Sequence, residues 1–70
     1  MWNTGKMNGY SYQVKHYEEG SVYGIDEGRI SKLWIYRDGE TFAEYERGWC
    51  LEPTDPGAFE VYERLLEWYN

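Results

Sequence analysis

The sequence contains one cysteine, one histidine and two prolines, and these scarcities exclude several classes of protein. Cys50 alone cannot form an internal disulfide, and with His16 as the only imidazole the chain cannot build a Cys/His zinc site. No apolar run approaches the roughly 18 residues that span a bilayer, and the first residues lack the apolar segment of a secretory signal. We therefore expect a cytoplasmic protein, because a lone thiol stays reduced in that compartment.

Groups with the spacing of a known active site are also lacking. Cys50 and His16 are the only candidates for a thiol–imidazole pair, and no catalytic signature surrounds either residue. Gly24, Gly28 and Arg29 lack the spacing of a phosphate loop and precede a strand-like run rather than a helix. Acidic pairs are numerous, but a glycosidase-type pair needs a desolvated cleft, for which 70 residues leave little volume. We expect a non-enzymatic protein with no catalytic residue, no cofactor and no metal site.

Aromatic rings and acidic groups are what the chain has in excess. Four Trp, eight Tyr and two Phe supply large apolar surfaces, which we expect to stabilise a single small domain over residues 1–70 in place of disulfides. The net charge of −6 is uneven, because residues 1–37 sum to +1 and residues 38–70 to −7. An acidic protein repels the phosphate backbone, so direct nucleic-acid binding is not expected.

Alternating large and polar side chains predict the strands. Residues 10–17 alternate as a half-buried strand, residues 21–25 are a short β-favouring run interrupted by a glycine, and residues 29–37 include four consecutive large side chains typical of a central strand. Asp38-Gly39 then gives a hairpin signal between two β-like runs. Residues 1–8 look dispensable for the fold, although Trp2 could tether them.

The C-terminal segment predicts an amphipathic helix. Asp55 is a good N-cap, Pro56 suits the first helical position, and the residues that follow place apolar side chains on one arc and glutamates on the other. The fold class is therefore α+β, an antiparallel meander of three or four strands with one C-terminal helix packed on one face.

A type I′ turn at Asp38-Gly39 would set the register of the hairpin. It pairs Arg37 with Glu40, Ile35 with Phe42, Trp34 with Ala43, Leu33 with Glu44 and Lys32 with Tyr45. One face then carries Leu33, Ile35 and Phe42, and the other carries Ile30, Lys32, Trp34, Tyr36, Tyr45 and Arg47.

The second of these faces predicts an interaction surface. Its members, with a nearby tryptophan, are Lys32, Trp34, Tyr36, Tyr45, Arg47 and Trp49. If the helix covers the opposite face, these side chains either receive cover from Trp2 or Trp49 within the monomer or stay exposed as a binding surface.

The run "YGIDEGRISKLWI" followed by "AEYERGW" and a terminal amphipathic helix resembles a family of short uncharacterised proteins from Gram-positive bacteria and their phages. That family shares a G-R-I-S-K-L core and a Y-x-R-G-W ending, and the resemblance spans roughly residues 9–69. It implies a sheet-plus-helix fold and a mobile-element context, and it transfers no catalytic residue.

Three functional hypotheses remain open. The leading one is a protein-interaction module, acting on a partner protein or as a homodimer. An alternative is an acidic inhibitor whose glutamates at Glu60, Glu63 and Glu67 occupy the nucleic-acid-binding groove of a host or phage protein. A further alternative is carbohydrate or other ligand binding on the aromatic sheet face.

Overall fold

A computed structural model of the chain describes residues 2–70, which form an antiparallel sheet and one long helix. The elements in chain order are β1 (Trp2–Met7), β2 (Tyr10–His16), a short 3-10 helix (Ile25–Glu27), β3 (Ile30–Arg37), β4 (Glu40–Glu46), β5 (Trp49–Leu51) and α1 (Pro56–Tyr69). The strands lie in the sheet in the order in which they occur along the chain. The α+β meander is confirmed, but the prediction of three or four strands is wrong because the sheet has five.

One additional strand is β1, at the edge of the sheet. Asn8 and Gly9 both have positive φ, 56° and 83°, the backbone of a type I′ turn that joins two adjacent strands. The turn pairs Met7 with Tyr10 and continues the ladder to Trp2 and Lys15. Residues 2–7 are therefore part of the sheet, contrary to the expectation that the first eight residues are dispensable.

Residues 21–25 do not form the predicted strand. They lie in turns that lead into the 3-10 helix, which buries the side chain of Ile25. Gly24 is needed here for close packing, because an added Cβ would lie 2.1 Å from the carbonyl oxygen of Gly28. The loop from Tyr17 to Arg29 therefore folds back on itself at the end of the sheet instead of adding a strand.

Helix α1 begins as the sequence predicts. The Asp55 carboxylate accepts a hydrogen bond from the Ala58 N–H at 3.3 Å, and it accepts a second from the hydroxyl of Tyr10 on β2. These bonds satisfy a free N–H of the first turn and connect the start of the helix to the sheet. Val61 and Leu65 are fully buried, so this side of the helix packs against β2 and β3.

The core lies between α1 and one face of the sheet. Its members are Tyr10, Tyr12, Val14, Ile25, Ile30, Leu33, Ile35, Ala43, Tyr45, Ala58, Val61 and Leu65. Alternation along the strands then directs the intervening side chains to the opposite face. Within residues 2–70, the helices lack the length and apolar character that a transmembrane span requires.

A β-bulge changes the predicted hairpin register. Asp38 and Gly39 form the turn with φ of 51° and 79°, and Arg37 pairs with Glu40 as expected. Phe42 is then an extra residue, since Tyr36 pairs with Thr41 while Ile35 pairs with Ala43. The pairs that follow are Leu33 with Tyr45, Trp34 with Glu44, and Lys32 with Glu46. All predicted pairs beyond Arg37 and Glu40 are therefore wrong by one residue in β4.

Candidate binding face

The sheet has a second face that no helix of residues 2–70 covers, which we call the open face. Register and alternation place on it three rows of side chains that cross the strands. These rows are Trp2, Lys15, Lys32 and Glu46; Thr4, Gln13, Trp34, Glu44 and Leu51; and Lys6, Ser11, Tyr36 and Thr41. Polar side chains thus surround a few large aromatic rings.

A groove on the open face lies beside two exposed tryptophans. Trp2 is 48% exposed and Trp34 is 43% exposed. The groove has a volume of about 150 Å³, and its lining residues are Trp2, Lys32, Leu33, Trp34, Glu44, Tyr45 and Glu46. A space of this size between rings accepts a small apolar side chain or the flat face of a sugar.

The open face carries more positive charge than the rest of the protein. The open face carries three lysines, Lys6, Lys15 and Lys32, and two glutamates, Glu44 and Glu46. Its net charge is therefore +1, on a chain whose net charge is −6. Lys32 Nζ lies 3.4 Å from the Glu46 carboxylate, and both side chains are well solvated, so this ion pair is weak. The Lys15 ammonium lies 5.9 Å from the centre of the Trp2 ring, at the range of a cation–π contact.

The structure brings together three of the six residues of the predicted interaction surface. Lys32, Trp34 and Tyr36 share the open face, and the Tyr36 hydroxyl accepts a long hydrogen bond of 3.4 Å from the Gln13 amide. Trp2 joins them, whereas Trp49 lies on the other side of the sheet.

Tyr45, predicted for this surface, lies instead in the core because of the bulge at Phe42. It is 7% exposed, and its hydroxyl donates a 2.8 Å hydrogen bond to the carbonyl oxygen of Tyr23. Burial raises the pKa of the Tyr45 phenol. Trp49 packs edge-on against Tyr45 and Tyr62, with ring centres 5.0 and 5.5 Å apart, so it belongs to the helix side. Ile30, predicted for the same face as Tyr45, is also in the core.

Arg47, the sixth predicted residue, lies just past the end of β4. Its guanidinium stacks over the Tyr23 ring at 5.1 Å from the ring centre. It lines a second concave region, which we call the basic cleft, with a volume of about 520 Å³ at the end of the sheet. The cleft is lined by Lys15, Tyr17, Glu19, Gly20, Ser21, Tyr23, Ser31, Lys32 and Arg47. It adjoins the open face, with which it shares Lys15 and Lys32.

Sequence reasoning missed Trp2, Gln13 and Lys15 as members of the open face. Trp2 depends on strand β1, whereas Gln13 and Lys15 lie on β2 and join the open face through its pairing with β3. The signal that could have identified Trp2 is the dipeptide Asn8-Gly9, which is as strong a hairpin signal as Asp38-Gly39.

The sole thiol and the sole imidazole lie far apart in the sheet. Cys50 is exposed on β5 and His16 is on β2, three strand spacings away, or roughly 14 Å. His16 Nε2 lies 2.8 Å from the Asn3 side-chain oxygen, and its ring stacks on Tyr69 with centres 4.8 Å apart. Burial is the main cause that lowers the pKa of His16. This geometry gives His16 a structural role between β1 and α1.

The predicted acidic arc of the helix is solvated. Glu60, Glu63 and Glu67 are exposed. Glu67 forms an ion pair with Arg64, with 3.3 Å between the carboxylate oxygen and the guanidinium nitrogen. Acidic and lysine-bearing surfaces therefore lie on opposite sides of the protein.

Comparison with known proteins identifies a family without assigning an activity. The family model of a domain of unknown function (DUF7678) matches residues 1–70. No curated protein and no solved structure matches the chain. The expectation of a family of uncharacterised proteins is thus confirmed, whereas its G-R-I-S-K-L and Y-x-R-G-W motifs and its phage context stay predictions. Because the match extends over all 70 residues, the chain belongs to the family of the domain of unknown function DUF7678.

Proposed function

We propose that this protein is a cytoplasmic, non-enzymatic interaction module that binds a partner protein through its open face. The observation that carries the proposal is the exposure of Trp34 and Trp2, 43% and 48%, on a sheet face that the described part of the chain leaves uncovered. Contiguous exposed aromatic surface is uncommon on proteins that act alone, and tryptophan is enriched at the energetic centres of interfaces.

The tryptophans supply apolar surface that contributes to association. About 100 Å² of the Trp34 side chain stays in contact with water, if a full ring presents roughly 250 Å². Covering that area contributes about 2.5 kcal/mol at 25 cal/mol per Å². Trp2 adds a similar amount, so two rings contribute about 5 kcal/mol before the entropy of association is subtracted.

Charge indicates what kind of partner fits. The open face presents Lys6, Lys15 and Lys32, and two copies stacked face to face would bring lysine-bearing surfaces together. An acidic protein surface that inserts one apolar side chain into the groove between Trp2 and Trp34 complements both features. A second copy could instead pair along the free edge of β1, which would extend the sheet rather than cover its face.

The test compares two tryptophan variants in affinity capture from cells that express the protein. Trp34→Ser removes a ring from the open face, and Trp68→Ser removes a ring that is 53% exposed on α1. We expect wild type and Trp68→Ser to capture the same acidic protein, and Trp34→Ser to capture at least tenfold less of it. Purified wild type should bind the captured protein directly. Equal capture by all three proteins would refute the role of the open face.

Light scattering on the purified protein distinguishes a partner protein on the open face from a second copy of the chain. A monomer that gains mass only with the captured protein supports the proposal. A concentration-dependent dimer that persists in Trp34→Ser but is lost in Thr4→Pro would identify pairing through β1 instead.

The groove also favours carbohydrate binding as a second candidate function. Trp2 and Trp34 supply ring faces, and Glu44 and Glu46 supply hydrogen-bond acceptors beside them. Sugars bind by stacking on such rings while neighbouring polar groups bond their hydroxyls. Tryptophan fluorescence titrated with a glycan panel tests this function, which a lack of response in wild type would exclude for the glycans in the panel.

A further inference from the structure

The basic cleft concentrates positive charge at one end of an acidic protein. Lys15, Lys32 and Arg47 are three of the seven basic residues of the chain. In an antiparallel meander the end of β2, the start of β3 and the end of β4 lie at the same end of the sheet, so the topology brings these residues together. The cleft shares Lys15 and Lys32 with the open face, but Arg47 and the loop that closes the cleft lie beyond the strands.

Two of the three cations, Lys15 and Lys32, are neighbours across the β2–β3 pair, and one carboxylate, that of Glu46, forms an ion pair with one of them. Lys15 is the direct cross-strand neighbour of Lys32, and like charges at such positions destabilise a sheet. Glu46 lies 3.4 Å from Lys32 and offsets one charge, while the Lys15 ammonium lies 5.9 Å from the Trp2 ring centre and 5.5 Å from that of Tyr17. An anion held by both ammonium groups would turn this repulsion into attraction.

Arg47 is held in an unusual backbone conformation at the mouth of the cleft. Its φ is 60°, in the left-handed region that glycine or asparagine adopts at lower cost. Its N–H donates to the carbonyl oxygen of Ser31 at 2.9 Å, and its guanidinium is stacked on the Tyr23 ring. Stacking fixes the plane of the guanidinium and leaves the donors at its edge available for two parallel bonds to a phosphate.

Hydroxyl groups complete the lining. Ser31 and Tyr17 line the cleft together with the cations, and Glu19 is the acidic residue among the lining residues. Hydrogen bonding to Lys15 is the main cause that lowers the pKa of the Tyr17 phenol, with Ser31 and the charge of Lys32 acting in the same direction. The groups that favour the phenolate form of Tyr17 carry donors or positive charge, which an anionic ligand also requires.

We propose that the basic cleft binds a phosphate monoester through Lys15, Lys32 and Arg47. A volume of about 520 Å³ exceeds the needs of a bare phosphate ion and leaves room for the group that carries it. The monoester is either a small phosphorylated metabolite or a phosphorylated side chain, which share this chemistry. The inference goes beyond the proposed protein-binding function, because it stands or fails whether or not a partner covers the open face.

Nuclear magnetic resonance titration of the full chain tests the site. Inorganic phosphate is added at constant ionic strength, with chloride as the reference anion, while the backbone amides of Lys15, Ser31, Lys32 and Arg47 are followed. We expect saturable shifts confined to the cleft, and a loss of affinity of about tenfold in Arg47→Gln, since a charge-assisted hydrogen bond is removed. Lys15→Gln is the second variant, in case Arg47→Gln alters the turn.

The matched control is Arg64→Gln, which makes the same change in net charge on the exposed side of α1. It should bind phosphate as wild type does, and ribose 5-phosphate and a phosphoserine peptide then identify the source, since the correct carrier binds more tightly than phosphate alone. Shifts that fail to saturate, that chloride reproduces, or that Arg64→Gln reduces as much as Arg47→Gln would overturn the proposal. None of these outcomes bears on capture of a protein by the open face.

Discussion

Asn70 stabilises the loop of the basic cleft through its side chain, and replacing it with alanine should measure that contribution. The Asn70 amide oxygen accepts a hydrogen bond from the Ile30 N–H at 3.0 Å, and its amide nitrogen donates to the Ile25 carbonyl oxygen at 3.1 Å. These bonds join the end of α1 to both the 3-10 helix and the start of β3. Ile25 and Ile30 are buried, so their backbone groups depend on such partners.

The expected cost follows from the two bonds. Each contributes about 0.5–1.5 kcal/mol net of exchange with water, which gives about 1–3 kcal/mol for Asn70→Ala. The Ile25 carbonyl also accepts from the Gly28 N–H at 2.8 Å, so loss of its bond to Asn70 should cost about 0.5–1 kcal/mol, the lower half of the range for one bond. A chain of 70 residues has a total free energy of unfolding of about 4–10 kcal/mol. The melting temperature should therefore fall by roughly 5–20 °C.

Urea unfolding followed by tryptophan fluorescence measures the loss, and a double-mutant cycle with Gly28 locates its origin. A Cβ at Gly28 would lie 2.3 Å from both amide atoms of Asn70, so Gly28→Ala should be destabilising in wild type and much better tolerated in Asn70→Ala. Additive effects, or an Asn70→Ala variant within 0.5 kcal/mol of wild type by the usual scatter of surface substitutions, would refute the argument.

Two further predictions concern the helix and the histidine. Leu65→Ala should lower the free energy of unfolding by about 2–5 kcal/mol because Leu65 is fully buried, whereas Phe59→Ala, at a position 43% exposed, should cost much less; calorimetry of both variants checks this. The lowered pKa of His16 means that the unfolded chain binds a proton at this imidazole more tightly than the folded chain does. The free energy of unfolding is therefore unaffected by His16 above a pH of about 6.5, and it falls as the pH decreases through that value towards the lower pKa of the folded state. Melting temperatures measured against pH should show a smaller decrease in His16→Gln than in wild type over this range, and equal slopes would contradict the assignment.

The helix and the central hairpin were predictable because local chemistry decides both. Asp55 and Pro56 determine where the helix begins, and the apolar arc after them requires a sheet to pack on. Asp38-Gly39 adopts positive φ at both positions, as a type I′ turn requires. Strand β1 also has a local signal, since Asn8-Gly9 is a second type I′ turn sequence. The residues of β1 alternate weakly in hydrophobicity, however, because this edge strand buries little on either side.

The loop from residue 17 to residue 29 was not predictable from local pattern. Its short β-favouring run is overridden by contacts from distant parts of the chain, among them the Asn70 side chain at Ile25 and the Tyr45 hydroxyl at Tyr23. The basic cleft therefore could not be read from the sequence, because its wall is set by residues that lie more than twenty positions away.

Only three of the six residues predicted for the interaction surface share the open face, and Tyr45 is absent from it because one bulge changes the parity of β4. A regular hairpin would have put Glu44 opposite Leu33 on the face that α1 covers, and a buried carboxylate without a partner is costly. With Phe42 as the extra residue, Ala43 and Tyr45 enter the core, while Glu44 and Glu46 lie on the solvent-facing side. The side-chain period in a strand is two, so a shift of one residue exchanges every later side chain between the faces. The same shift that removes Tyr45 from the open face places the carboxylates of Glu44 and Glu46 beside its lysines, and the charge of that face falls from three cations to a net +1.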